Sequence, residues 1–262
     1  MLRIFLNRVQ KTFVYCRDGC CYSCYFAIID SREYIMFFDY YYMVLVVPTL
    51  ILSLWAQVKV KSTFAKYSKI GCTKRISGQD AAALLMKANN IRDVRIEAVN
   101  GSLTDHYDPS AKVLRLSRPV YGENSIAAVG VAAHETGHAI QHAVSWGPLA
   151  LRSTLVPVAN IGSMFGPWLA MAGIFLAMPM LLNIGILLFA GAVLFYIITL
   201  PVEFDASARA IAILRSNNVL TPDELRGVKK VLTAAALTYV ASALTALMSL
   251  LRLILISRNR RR

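Results

Sequence analysis

Residues 153–202 read STLVPVANIGSMFGPWLAMAGIFLAMPMLLNIGILLFAGAVLFYIITLPV, with no Asp, Glu, Lys or Arg between Arg152 and Glu203. As one helix at 1.5 Å per residue the stretch would measure about 75 Å. The hydrocarbon core of a bilayer is about 30 Å thick and takes about 20 apolar residues, so a single crossing cannot hold it. Two crossings can, joined near Met178-Pro179-Met180, where proline suits a tight connection between helices. A hairpin returns the chain to the side it came from, so the segments before Arg152 and after Val202 face the same side of the membrane.

Two further apolar segments lie outward from this hairpin. The run from about Tyr40 to Ala56, YYYMVLVVPTLILSLWA, carries tyrosines at one end and Trp55 at the other, as an interfacial aromatic belt would. The run from about Val231 to Ile256 is uncharged as far as Arg252, whose long side chain can snorkel. Composition agrees: 56% of residues are hydrophobic and 16% charged, and the mean hydropathy is +0.51, far from an average soluble domain. The net charge of +13 does not indicate nucleic acid, because the basic residues cluster beside the apolar spans and mark the lipid bilayer as the partner. Lys59, Lys61, Lys66, Lys69, Lys74 and Arg75 follow the first span, while only Arg32 lies close on its other side. The positive-inside rule then places the segment after Ala56 in the cytoplasm of a multi-pass plasma-membrane protein. Arg258 and Arg260 to Arg262 argue the opposite way, since four crossings leave that tail outside; the asymmetry about the first span is given more weight.

Four of the five cysteines, Cys16, Cys20, Cys21 and Cys24, fall in one short stretch. Their spacing lacks the second half of a paired zinc pattern, and they are read as thiols without a metal. Arg3, Arg8 and Lys11 interrupt the apolar positions of a signal peptide. Met36 stands just before the first span as an alternative start, and residues 1–36 are expected to form an extension without fixed structure.

From Lys59 to about Ser145 the sequence describes a small α/β domain. Ser77 and Asp80 form a capping box for a helix through about Ala88. Val94–Val99, Asn100-Gly101 and Ser102–Tyr107 spell a hairpin with a strong two-residue turn signal. Val113–Ser117 alternates as a third strand at the sheet edge. Asn124 or Ser125 caps a long helix, IAAVGVAAHETGHAIQHAV.

That helix contains HETGH, His134 to His138. Residues four apart lie about 40° apart around a helix and about 6 Å along it, so both imidazoles can reach one metal ion. Glu135 projects beside them, where it can take a proton from water and return one to a leaving amine. HExxH arises by chance on the order of once in a thousand such chains. A catalytic zinc site has three protein ligands and an open position, so a third ligand is required. Of the four acids downstream, Asp223 and Glu224 belong to a helix start, Thr221-Pro222-Asp223-Glu224. Glu203 and Asp205 remain, about 200° apart on a helix; Glu203 is preferred, with Asp205 free to pair with Arg209 one turn on. His142 lies about 12 Å from His134 along the helix, too far to share an ion at bond lengths near 2.1 Å, and is read as a packing residue or a support behind the ligands. His106 is read as structural, with contact to substrate as the alternative.

The runs LTDHYDPSAKVLRLS, VAAHETGHAIQHA, LRSTLVPVANIGS, PVEFDASARA and LTAAALTYVASAL together resemble the bacterial membrane-bound neutral zinc metallopeptidases of the YugP type, from about Phe37 to Ile256. The resemblance implies a gluzincin-like site with Zn2+ on His134, His138 and Glu203 and with Glu135 as general base. In the HtpX-like and CAAX-processing peptidases an aspartate stands four residues after the ligand glutamate. Ser207 stands here, which leaves open how a ligand histidine is oriented.

The expected protein is therefore an α-helical integral membrane protein with a small α+β zincin-like catalytic domain. Its expected organisation is an extension over 1–36, a transmembrane helix over 37–58, the zincin-like domain over 59–148 and a transmembrane hairpin over 149–202. A third-ligand helix and connector then occupy 203–230, a membrane helix 231–256 and a basic tail 257–262. The expected activity is hydrolysis of a peptide or protein substrate laid along Val113–Ser117. An intramembrane protease and a non-catalytic zinc-binding scaffold are the alternatives. Gly162 and Gly166 form a GxxxG suited to helix packing, and the oligomeric state stays open.

Overall fold

The computed structural model describes residues 39–259. The four clustered cysteines, Met36 and Arg260 to Arg262 lie outside the described residues. The chain separates into two units, Met1–Val44 and Leu45–Arg262, and the second holds the elements that matter for function. These are α1 (Val47–Tyr67), preceded by a π-helical turn at Tyr42–Val46, α2 (Gly78–Ala88), β1 (Arg95–Val99), β2 (His106–Asp108), β3 (Val113–Ser117), α3 (Arg118–Tyr121), α4 (Ile126–Ala143), α5 (Gly147–Phe175), α6 (Pro179–Ser216) and α7 (Pro222–Asn259).

Among the described residues, four helices are long and apolar enough to cross a membrane: Tyr42–Tyr67, Gly147–Phe175, Pro179–Ser216 and Pro222–Asn259. The uncharged stretch does form the hairpin its length demands, with Leu176 to Met178 as the connection between α5 and α6. Two apolar helices gain little from burying apolar surface against each other in lipid, so close packing must hold them together. Glycine provides it. A Cβ on Gly185 would stand 2.3 Å from the backbone nitrogen of Ala170, and one on Gly162 would stand 2.2 Å from the carbonyl oxygen of Leu188. Gly166 likewise faces the backbone of Phe189, so the GxxxG pair is engaged within the chain, between α5 and α6. Helices α1 and α7 run antiparallel; the hydroxyl groups of Ser53 and Thr245 meet at 3.1 Å, and Thr245 also donates to the carbonyl of Thr49 at 3.3 Å.

Both α6 and α7 have 38 residues, about 57 Å of helix each, and outrun a hydrocarbon core. The segment carrying Glu203 is the continuation of a membrane helix rather than a separate element. Likewise, α7 runs unbroken from Pro222 into the final apolar segment. Its start is a reciprocal cap: Glu224 accepts from Thr221 N at 2.7 Å, and Thr221 Oγ1 accepts from Glu224 N at 3.3 Å.

In the polar domain, Ser77 and Asp80 cap α2 reciprocally, and Ser125 caps α4 by accepting from Ala128 N at 3.1 Å. The sheet differs from the expected hairpin. Its order is β1-β3-β2, with β1 parallel and β2 antiparallel to β3. β1 and β2 do not pair, and β3 is the central strand rather than the edge. Asn100-Gly101 does turn the chain, with Gly101 at φ 106°, but Leu103 also takes a positive φ of 58°. The chain thus loops wide instead of folding back at once. Asp105 is drawn off to accept hydrogen bonds from Ser117 N at 2.7 Å and Ser117 Oγ at 3.0 Å, leaving β2 only three residues. Leu114, Leu116 and Val120 pack beneath Ala127 and Ala132 of α4, together with Phe64 of α1 and Val231 of α7. This core seats the HETGH helix between the sheet and the membrane helices.

Candidate metal centre

Helix α4 is buried along most of its length, including Glu135, Thr136, Gly137 and His138. It can approach α6 closely because position 137 lacks a side chain: a Cβ there would lie 2.6 Å from the carbonyl oxygen of Ala206. That crossing brings one turn of α4 against the turn of α6 that begins at Glu203. His134 Nε2 lies 3.2 Å and His138 Nε2 3.5 Å from Glu203 Oε2, and one ligand atom from each of the three residues falls within 4.8 Å of the others. Donors on a tetrahedral ion with bonds near 2.1 Å stand about 3.4 Å apart, so the spacing and the two-nitrogen, one-carboxylate donor set both suit zinc.

The rear nitrogens of both imidazoles are engaged. Gln141 Nε2 donates to Val202 O at 2.9 Å and to Asp205 Oδ2 at 2.8 Å. Both partners are acceptors, which fixes the amide orientation and leaves Oε1 to face His138 Nδ1 at 3.0 Å. His138 Nδ1 is thereby placed to donate to Gln141 Oε1, an arrangement that leaves the Nε2 lone pair for an ion at the centre. Ser207 Oγ lies 3.1 Å from His134 Nδ1 and can accept from it in the same way. Serine thus occupies the orienting place left open by the absent aspartate. Asp205 acts on the other histidine through Gln141, and also accepts from Arg209 Nε at 2.5 Å. Such outer partners fix ring orientation and raise ligand basicity.

Glu203 is 2% exposed and its second oxygen lies 3.6 Å from Arg152 NH2. The Arg152 guanidinium and Glu203 carboxylate bound the uncharged hairpin at its two ends, and the pair closes it. Glu135, 8% exposed, lines a cavity of about 240 Å³ with His134, Tyr239, Asp105 and Phe64. Tyr239 of α7 lines this cavity opposite the HETGH helix. Burial pushes the Asp105 carboxyl above the ordinary range against the pull of its hydrogen bonds from Ser117.

His142 is not part of the cluster. Its Nδ1 meets the Tyr107 hydroxyl at 2.7 Å, tying α4 to β2. His106 is exposed, with Nδ1 2.9 Å from Thr104 O; its neighbour Asp105, not His106, lines the cavity. Sequence reasoning missed Gln141, Arg152 and Tyr239. Arg152 was signalled: opposite charges bounding an uncharged hairpin are brought together by its closure. Gln141, one turn beyond His138, and Tyr239, in a different helix, gave no such signal.

The family described as "Putative neutral zinc metallopeptidase" matches residues 42–258. The chain is 49% identical over 220 residues to the "Putative membrane protease YugP" of Bacillus subtilis (strain 168), covering 84% of this chain and 98% of that protein. No solved structure matches.

Proposed function

From the premise that this chain belongs to the neutral zinc metallopeptidase family, we propose that it is a membrane endopeptidase that hydrolyses peptide bonds at a Zn2+ ion held by His134, His138 and Glu203. The observation that carries the reading is the convergence of these three residues with both rear imidazole nitrogens already engaged. When bound, zinc supplies Lewis-acid polarisation of the scissile carbonyl and acidifies water toward neutrality. Glu135 takes the proton of the attacking water and returns it to the leaving amine. Tyr239, which lines the same cavity as Glu135 and His134, is assigned the role of hydroxyl donor to the substrate oxygen. Gln141 and Ser207 hold the imidazoles in the tautomer that keeps each Nε2 free. A peptide cannot pair with β3, which is flanked on both sides, so substrate backbone is offered the free edge of β1 or β2.

In this reading the reaction occurs at the membrane surface on the side of the polar domain, and the charge asymmetry about α1 supports the cytoplasmic side of the plasma membrane. What supports the depth is the Arg152–Glu203 pair, which marks where both hairpin helices cease to be purely apolar. A site at the bilayer midplane would need its carboxylate inside the uncharged stretch.

The deciding experiment replaces Glu135 with Gln in the purified, detergent-solubilised protein. Zinc content should stay at the parental level while cleavage of a peptide library falls by ~10²–10⁴-fold. Parental cleavage by a zinc-loaded Glu135→Gln protein would sink the mechanism.

A further inference from the structure

The α1–α7 pair has two faces. One lines the catalytic cavity through Val60, Phe64, Val231 and Leu232. The other forms an open groove of about 710 Å³, and no step of peptide hydrolysis uses it. Five cations border the groove: Lys59 and Lys66 from α1, and Arg226, Lys229 and Lys230 from α7. Its floor is Thr233, Ala234 and Leu237. Arg226 is paired with Asp223. Among the described residues, no carboxylate lies within ion-pair distance of Lys59, Lys66, Lys229 or Lys230.

The depth of the groove follows from the antiparallel register. The Tyr67 ring lies against Gly227, so Lys66 stands level with the turn holding Lys229 and Lys230. Lys59, seven residues earlier, lies about 10 Å closer to the membrane. Lys59 is also the first charged residue after the first apolar span, and Lys230 the last before the final one. The four cations therefore bracket the headgroup layer, which adds about 5–7 Å to each side of the hydrocarbon core. The floor runs along α7 from Thr233 to Leu237, within the final apolar segment.

We propose that this groove binds the headgroup of an anionic phospholipid from the leaflet on the side of the polar domain. Its phosphate sits against Lys66, Lys229 and Lys230, Lys59 reaches up to it, and an acyl chain lies along Ala234 and Leu237. Uncompensated cations select an anion, and the apolar floor running into the bilayer selects one with a hydrocarbon tail. A free phosphate would leave that floor bare. The proposal rests on the membrane architecture and not on the peptidase reading.

The test uses the full chain in phosphatidylcholine nanodiscs with and without phosphatidylglycerol. Bound lipid is counted by native mass spectrometry after release. The parent should retain phosphatidylglycerol in preference to phosphatidylcholine. The K59Q/K229Q/K230Q variant should bind it ~10-fold or more weakly. A K61Q/K69Q/K87Q variant, which removes as many charges outside the groove, should keep the parental affinity. In the parent itself, phosphatidylglycerol should slow acylation of Lys59 and Lys229 by an amine reagent several-fold, a readout that needs no variant to fold. Equal losses in both variants would reduce the effect to bulk charge and overturn the proposal. So would equal retention of phosphatidylcholine, displacement by inorganic phosphate, or unchanged acylation rates.

Discussion

Helix α6 passes through two environments, and its halves are specified by different means. From Pro179 to Val202 it is uncharged and held by shape, with Gly185 against the backbone of Ala170. From Glu203 to Arg209 it is held by directed contacts: Glu203 to the imidazoles, Asp205 to Gln141 and Arg209, Ser207 to His134. In the first half many apolar residues of suitable size would serve, because dispersion is insensitive to which atoms touch. In the second half, single hydrogen-bonding atoms decide which groups meet. The contrast teaches where substitutions will change chemistry and where they will change only the stability of the helix pair.

The sharpest way to break the comparison is Glu203→Gln, which removes a ligand charge from the second half. Zinc affinity should fall by more than ~100-fold, beyond the loss expected from an outer partner alone; titration with a chelating dye measures it. Next come Ser207→Ala and Gln141→Met, each expected to cost ~10–100-fold in zinc affinity. Ile186→Leu in the first half serves as their control and should shift affinity by less than about twofold. If Ser207→Ala proved as silent as Ile186→Leu, the hydroxyl would have no part in orienting His134.

Gly185→Ala reverses the pattern. Its new methyl must displace backbone, costing about 1–3 kcal/mol in unfolding measurements, while the folded fraction keeps parental zinc affinity. The smallest loss of stability belongs to Tyr107→Phe, on β2 rather than on α6. Loss of the bond to His142 should cost about 0.5–1.5 kcal/mol. Burial also pushes the Tyr107 phenol up to about 12 from its ordinary 10.0. Because the raised value favours the protonated form in the folded state, its contribution is present below pH 10 and lost as pH climbs toward 12. Phenylalanine should flatten that alkaline decline in melting temperature.

What was legible in the sequence divides along the same line. The four apolar helices follow from length and charge alone, because a bilayer imposes its thickness on any chain that crosses it. HETGH and the caps at Ser77, Ser125 and Thr221 are local, set within a few residues. The strand order was not legible, since the pairing of Arg95 with Val113 is decided by the shared core beneath β3, while Asn100-Gly101 advertised a nearer partner. Gln141 was hidden for a related reason: its role depends on Val202 and Asp205, more than sixty residues away and met only through one helix crossing. Ser207, which read as a gap in a pattern, becomes a hydrogen-bond partner once that crossing is known.

The crossing itself turns on Gly137, which rests against the Ala206 carbonyl with no side chain between them. A gap filled by rotamers can yield by several tenths of an ångström; one set by main chain against main chain cannot. The helix pair is thus a rigid frame behind the turns that carry His134, His138 and Glu203. Residue 137, with no side chain to offer, thereby sets how near the side chains of the two helices come to one another.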